Sequence, residues 1–177
     1  MWRTAVGKAL PIKEREYLRN ATARAAKNVK VPVVVNIGVF RCASMYCLRA
    51  GSSAARLFGV DIEKCPTKIH PSLQAKFIIA DSAKCHVGFK EPIHVLFIDG
   101  DHHYKPVLAD LNNWAAKVVV GGEVILHDCF PKPKALSVKP HLEGVNRAVS
   151  GWFAEQPPEK WEEQVAPCSL RAFVRLR

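Results

Sequence analysis

The 177-residue chain predicts a doubly wound α/β fold, a mostly parallel sheet with helices on both faces. Three observations predict it. Val95-Leu-Phe-Ile98 runs without a break into Asp99-Gly-Asp-His-His-Tyr104, and a continuous apolar run of strand length is covered on both faces, as parallel strands are. Strand-like runs alternate with helix-length segments, the pattern of right-handed βαβ units. Polar residues close five successive runs at their carboxyl ends, the edge where open α/β sheets bind ligands.

Residues 4–29, rich in Ala, Lys, Arg and Glu, suit an amphipathic helix with a break near Pro11. Val33–Ile37 is a β-branched strand ending at Gly38. Ala43–Ala50 reads as a helix stopped by Gly51. Leu57–Ile62 and Lys76–Ala80 are the next strands, and Pro66–Leu73 between them is too short and polar to assign. After the strand over 94–98, Val107–Val118 has helical spacing, with Leu108, Leu111, Trp114 and Ala115 on one apolar face. Gly121-Gly122 is expected to break it, with Glu123–Leu126 as the fifth strand. The Pro- and Lys-rich segment 131–140 is a loop, and Leu142–Phe153 a helix. Two tail strands, over 161–166 and 169–175, lack a long helix between them, so an antiparallel addition at one sheet edge is expected. The N-terminal segment 1–30 and a domain over 31–177 make one unit, since 177 residues suffice for a single core.

Apolar content of 49% and charged content of 24% are those of a soluble globular chain, and no run is long enough to cross a membrane. The start Met1-Trp-Arg-Thr-Ala-Val-Gly-Lys lacks the apolar core of a signal peptide. The six cysteines form no CxxC pair, which points to a reducing, cytoplasmic setting without zinc. The formal charge of +10 suits an anionic partner or plain solubility. The basic residues form no dense block, so nucleic acid is the lesser expectation.

The strand tips carry Asn36 and Gly38, Asp61, Asp81, Asp99 and Asp101, and His127 and Asp128. Helix caps and turn aspartates can explain any one of them, but less easily five along one edge. Asp61 stands where a carboxylate reaches vicinal ribose hydroxyls, or where it caps the next helix. The loop Gly38-Val-Phe-Arg-Cys-Ala-Ser44 holds only the first of the three glycines a pyrophosphate requires. Val39, Phe40 and Cys42 would crowd phosphates. That argues against a nicotinamide dinucleotide and for a phosphate-free adenosine ligand such as S-adenosylmethionine.

The stretches Val33–Ser44, Gly59-Val-Asp-Ile62, Ala80-Asp-Ser82, Phe97–Tyr104 and Gly121-Gly-Glu-Val-Ile-Leu-His-Asp128 together resemble class I S-adenosylmethionine-dependent methyltransferases. The nearest branch is the small-molecule O-methyltransferases of macrocin and catechol type. The likeness spans residues 30–130; Ile-Asp-Gly-Asp-His-x-Tyr followed by Gly-Gly-x-x-x-x-His-Asp is its most specific part. It implies a Rossmann-like sheet of seven strands, the last antiparallel. It implies that Asn36, Gly38, Phe40 and Ser44 hold the methionine portion of the donor, and that Asp61 and Ile62 hold the ribose end. Asp81 and Ser82 would border the adenine, and Asp99 the methyl-transfer centre. Two positions depart from the family pattern: Asn36 replaces an acid and Cys42 a glycine.

Transfer to oxygen needs an aligned donor and a deprotonated acceptor. Two arrangements are open. In one, Asp99 and Asp128 converge on Mg²⁺, a cation that favours oxygen ligands. Cys129 falls where related metal-dependent enzymes carry an Asn, and a thiol is a poor ligand for a hard ion, so Asp101 or His127 would substitute. In the other, His102 takes the proton, competent at a reference pKa of about 6.5, with Asp99 or Asp101 orienting its ring. His103 is expected at the surface. Tyr104 lines the acceptor pocket or packs the helix start. His127 serves as ligand, base or donor to Asp128. Lys132, Lys134 and Lys139 would face an anionic acceptor or water. The reading is O-methylation of a small-molecule or sugar hydroxyl. The alternatives are an RNA methyltransferase and a non-catalytic adenosine-binding relative, the latter suggested by Asn36 and Cys42. With little room for an acceptor domain, a homodimer through the N-terminal helix is a further expectation.

Overall fold

The computed structural model describes residues 10–66, 68–130 and 142–177. The N-terminal residues before Leu10 and the lysines at 132, 134 and 139 lie outside the described residues. In chain order the elements are α1 (Ile12–Asn28), β1 (Val33–Ile37), α2 (Ala43–Arg49), β2 (Arg56–Asp61), β3 (Ala75–Ile79), α3 (Ser82–Cys85), β4 (Ile93–Ile98), α4 (Tyr104–Trp114), β5 (Val118–Leu126), α5 (Glu143–Ala154), β6 (Trp161–Gln164) and β7 (Arg171–Arg175). A single 3₁₀ turn, Pro71–Leu73, occupies the stretch the sequence left unassigned.

Continuous apolar strands require cover on both faces, and the sheet has it. Val33 and Val35 of β1 point into a core shared with Leu111 and Trp114 of α4 and Val149 and Trp152 of α5. Val34 points the other way, into a core with Leu18 of α1 and Leu48 of α2. The strand order is β3-β2-β1-β4-β5-β7-β6. The five strands β1–β5 pair in parallel, while β7 enters antiparallel between β5 and β6. From β1 the chain winds outward to β3, then returns to place β4 on the other side of β1. The switch point therefore falls between β1 and β4, where a crevice opens above the carboxyl ends.

The segment after Trp114 departs from expectation. Helix α4 ends at Trp114, a 3₁₀ turn covers Ala115–Lys117, and β5 starts at Val118, upstream of the two glycines. Val118 pairs with Ile93 and Glu123 with Val95, so five steps along β5 face two along β4. The glycines allow this bulge instead of ending an element. Gly121 has φ +77°, and a Cβ on Gly122 would lie 2.7 Å from Val118 Cγ1. The β-branched run Val118–Val120 makes strand of what helical spacing alone had extended as helix.

Pro11 stands immediately before α1, where its fixed φ starts a helix without losing a hydrogen bond. The helix lies on its own sheet. Tyr17 Oη donates to Glu123 Oε1 at 2.6 Å, and Arg24 Nη2 reaches Glu123 Oε2 at 2.7 Å. Burial and the Glu123 charge push the Tyr17 phenol well above its ordinary pKa. The buried stripe of α1, Glu14, Leu18, Ala21 and Thr22, is used within the chain. A partner subunit would meet mostly the charged side of this helix, with Lys13, Glu16, Arg19 and Lys27.

Candidate active site

A cleft of about 790 Å³ opens at the switch point. Asp61, Glu63, Asp81, Asp99, Asp101 and Asp110 line it, and among the described residues no lysine or arginine does. The tips of β1 to β4 thus meet in one place, while His127 and Asp128 at the tip of β5 stand outside this lining. The chain carries +10 overall, yet its cleft is acidic.

The loop after β1 is built around Gly38. Its φ is +80°, and a Cβ would stand 2.0 Å from the Asp99 carbonyl oxygen, so only glycine fits where the β1 turn crosses the tip of β4. Asp61 holds the rest of the loop. Its Oδ2 accepts from the Val39 and Phe40 amides at 2.8 and 3.0 Å, and Oδ1 from the Glu63 amide at 3.1 Å. Burial works to raise the Asp61 pKa, but the amides of Phe40, Glu63, Val39 and Ile62 outweigh it and hold the carboxyl below its usual range. Phe40 and Ile62, 65% and 71% exposed, offer the cleft an apolar surface. Ser44 is buried and lines a small side pocket together with Leu10, Gly38 and Asp99.

Asn36 does not line the cleft. It is fully buried, and its Nδ2 donates to the Gly38 carbonyl at 2.6 Å. From this position in β1 its side chain holds the Gly38 turn from behind. Cys42 occupies a left-handed position at the start of α2, with its Sγ 3.2 Å from Cys65 Sγ. Burial and the neighbouring thiol push its pKa up to about 12. It faces inward, so the narrowing expected of it falls behind the loop.

At the β3 tip, Asp81 caps α3 through the Ala83 amide at 2.9 Å. Ser82 Oγ donates to Asp110 Oδ1 at 2.6 Å. Asp110, on the buried side of α4, was not singled out in the sequence. Burial pushes its carboxyl up to about 6, with Asp81 and Asp101 adding to the rise against the Ser82 hydrogen bond. Its signal was an acid one residue before Leu111 on an otherwise apolar helix face.

Three elements meet beside the tip of β5. His102 Nε2 lies 3.0 Å from Asp128 Oδ2. Asp101, expected to orient His102 or act beside it, instead accepts from the His103 amide at 2.7 Å and faces the His103 ring at 2.6 Å. The short Asp-x-His spacing closes an Asx turn, which directs that carboxylate outward. The orienting acid is therefore Asp128, whose left-handed φ of 57° turns its side chain back toward the β4 tip. Asn146 of α5 holds the chain two residues further on, accepting from the Phe130 amide at 2.8 Å. Tyr104 begins α4 and lies under the Arg147 guanidinium, 5.0 Å from ring centroid to Cζ, outside the cleft lining. His103 is exposed.

Beneath this end, His127 is enclosed by acids. Its Nε2 meets Glu14 Oε2 at 3.1 Å, and its Nδ1 lies 3.2 Å from Asp99 Oδ1 and 3.3 Å from Asp128 Oδ2, aligned with neither. Burial acts to lower the His127 pKa, but Asp128, Asp99 and Glu14 win and push it up to about 12. Burial likewise acts to raise Glu14 and Asp128, and their imidazole contacts hold both below the usual carboxylate range. Glu14 comes from α1 and escaped the sequence reading. Its signal was an acid on the stripe that continues through Leu18 and Ala21.

Asp99, His102 and Asp128 each place one ligand atom within 4.8 Å of the others. Two carboxylate oxygens and one imidazole nitrogen are a donor set that fits a divalent cation, Mg²⁺ acceptably and Mn²⁺ or Zn²⁺ well. Cys129 takes no part. Its thiol is buried, points at the His127 carbonyl at 3.5 Å, and is pushed by burial up to about 12.

A doubly wound sheet with an acid-lined cleft at its switch point defines an α/β domain shaped to take a ligand of nucleoside size. Residues 35–129 match the family model described as a methyltransferase domain, and the chain belongs to that family. Among solved structures it is similar to the O-methyltransferase NovP, at 18% identity and a TM-score of 0.67, over 94% of this chain and 81% of that one. It is similar to an rRNA methylase from Streptococcus thermophilus at 11% identity and TM-score 0.65, over 96% and 100%. MycE from the mycinamycin biosynthetic pathway, in complex with Mg and SAH, matches at 16% and 0.61, over 89% of this chain and 48% of that one. At these identities the likeness is one of fold. Among the described residues no helix is long and apolar enough to cross a membrane.

Proposed function

We propose that this methyltransferase takes S-adenosylmethionine as donor and methylates a hydroxyl of a small molecule or sugar. The observation that carries the reading is the cleft's charge: six carboxylates and no lysine or arginine among its described lining residues, in a chain of net charge +10. Such a cleft favours a cationic sulfonium nucleoside and disfavours the phosphates of a dinucleotide or of RNA. Asp61 suits a ribose hydroxyl, since a carboxylate has about four acceptor sites and the amides of Val39, Phe40 and Glu63 leave one open on Oδ1. Phe40 and Ile62 suit the flanks of the adenosine, Asp81 and Ser82 the adenine edge, and Gly38 and Ser44 the methionine portion.

At the reacting end Asp128, 3.0 Å from His102 Nε2, accepts its N–H, leaving Nδ1 to receive the acceptor's proton and stabilising the imidazolium that forms. Asp99 and Asp128, with His102, would hold a divalent cation. When bound there, a cation supplies a lowered hydroxyl pKa and a fixed acceptor oxygen. The likeness to MycE with Mg and SAH supports that pairing of donor and metal. Loading with Mg²⁺, Mn²⁺ or chelator separates metal-assisted from imidazole-only deprotonation. An RNA acceptor is the second reading, favoured by the net charge and the rRNA methylase fold. The acidic cleft weighs against it.

The test is transfer of labelled methyl from S-adenosylmethionine to a panel of catechols and sugars, with metal or chelator, for the wild type and His102→Ala. The expected outcome is methylation of a hydroxyl acceptor and a loss of about 10²–10³-fold in His102→Ala. Methylation confined to RNA, or full turnover in chelated His102→Ala, would overturn the reading.

A further inference from the structure

Glu14 is an acid without solvent contact, in the first turn of a helix otherwise packed on α2 and tied to Glu123 of β5. A buried carboxylate is costly unless every oxygen is engaged. Here Oε1 accepts from the Ser169 amide at 2.9 Å and the Ser169 hydroxyl at 2.7 Å, and Oε2 faces His127 Nε2 at 3.1 Å. A helix anchored for stability alone would do as well with an apolar residue at this position. The consequence lies on the other edge of the His127 ring. With Nε2 held by Glu14, Nδ1 faces Asp99 at 3.2 Å and Asp128 at 3.3 Å, an ion-pair contact shared between the two carboxylates and not an aligned hydrogen bond to either. Neither Glu14 nor His127 lines the main cleft; His127 borders only a small pocket of about 10 Å³ shared with Asp99 and His102, and Asp99 is the carboxylate of the pair that lines the cleft itself.

We propose that Glu14 is a positioning residue: through His127 it fixes the Asp99 and Asp128 carboxylates at the methyl-transfer centre, which makes helix α1 part of the active site. This rests on the methyltransfer reading for the role of that centre. The geometry has a physical logic. A histidine ring free to turn about χ2 would release both acids, whereas groups that orient ligating or reacting side chains typically matter 10–100-fold in affinity or activity. Ser169, from the turn before β7, fixes Glu14 in turn, so three distant parts of the chain meet at one ring.

The experiment compares the wild type with Glu14→Ala and Glu14→Gln, the second retaining size and a Ser169 acceptor in case the first fails to fold. Side-chain carboxyl ¹³C signals of Asp99 and Asp128 are read by NMR, S-adenosylhomocysteine affinity by calorimetry, and turnover on whichever acceptor the panel identifies. The expected result is displaced or broadened Asp99 and Asp128 signals and turnover down about 10–100-fold, with the Gln variant between Ala and wild type. S-adenosylhomocysteine affinity stays within about threefold, the difference between a positioning role and a collapsed fold. Unchanged Asp99 and Asp128 signals in a folded variant, or a parallel loss of S-adenosylhomocysteine affinity, would overturn it. A wild type that binds no S-adenosylhomocysteine but shows the signal displacement contradicts the functional reading and leaves the positioning intact.

Discussion

Asp110 illustrates what a single buried acid costs. Its ordinary carboxyl pKa of 3.8 rises to about 6 in the fold. The folded state therefore prefers the protonated form: the group's favourable contribution is complete below the unfolded pKa and is lost as pH rises through about 6. Asp110→Asn keeps an acceptor for Ser82 and removes the buried charge. At pH 8 the variant should be more stable than wild type by on the order of 2 kcal/mol, and near pH 4 the gap should close. Paired thermal melts at both pH values check this; a gap independent of pH would contradict it. The His127 cluster behaves differently. His127→Gln leaves Glu14 buried without its cation and should cost about 3–5 kcal/mol, whereas Glu14→Gln combined with His127→Gln should recover much of that in denaturant titrations. Legibility at this scale follows locality. Asp61 and Asp99 were readable because an acid ending an apolar run stands out. Glu14 was not, because its partner His127 lies far along the chain and only tertiary packing joins them. The burial of Asn36 was not legible either, because a position beside a strand tip in sequence packs behind the Gly38 turn in space.

At the scale of elements, strands were legible and the joint between α4 and β5 was not. Val33–Val35 and Val95–Ile98 are continuous apolar runs too short for a helix of useful length. Around Val118 the apolar helical period and the β-branched run overlap, and two glycines that normally end an element instead make a bulge inside one. The β1 turn is the element the site depends on. Gly38→Ala would place a methyl group 2.0 Å from the Asp99 carbonyl at a positive φ. It should destabilise the protein by about 3 kcal/mol or more and abolish S-adenosylhomocysteine binding even where folding survives. Circular dichroism with calorimetry separates the two effects; a Gly38→Ala protein with wild-type affinity would contradict this account of the turn.

For the molecule as a whole, charge is divided between surface and cleft. The chain is strongly basic, but the switch-point cleft is acidic. S-adenosylmethionine, a cation at sulfur, should therefore bind more tightly than uncharged-sulfur S-adenosylhomocysteine at low ionic strength, and the ratio should shrink as salt is raised toward a Debye length of about 3 Å. RNA affinity, if measured, should be weak and set by the basic surface, with no competition from S-adenosylhomocysteine. The doubly wound, mostly parallel sheet was legible from the alternation of elements; the strand order, and with it the position of the switch point, became visible only in the fold. The insertion of β7 between β5 and β6 was only partly so: the missing helix implied an antiparallel edge, but not which strand lies outermost.

The central claim is that the strand-tip acids form one donor site with Asp61 at its ribose end. Calorimetric titration of S-adenosylhomocysteine into the wild type and Asp61→Ala tests it most directly. Binding near the micromolar range, about −8 kcal/mol, that weakens by at least about tenfold in the variant is the predicted result. No binding to the wild type, or equal affinity in both proteins, would contradict it.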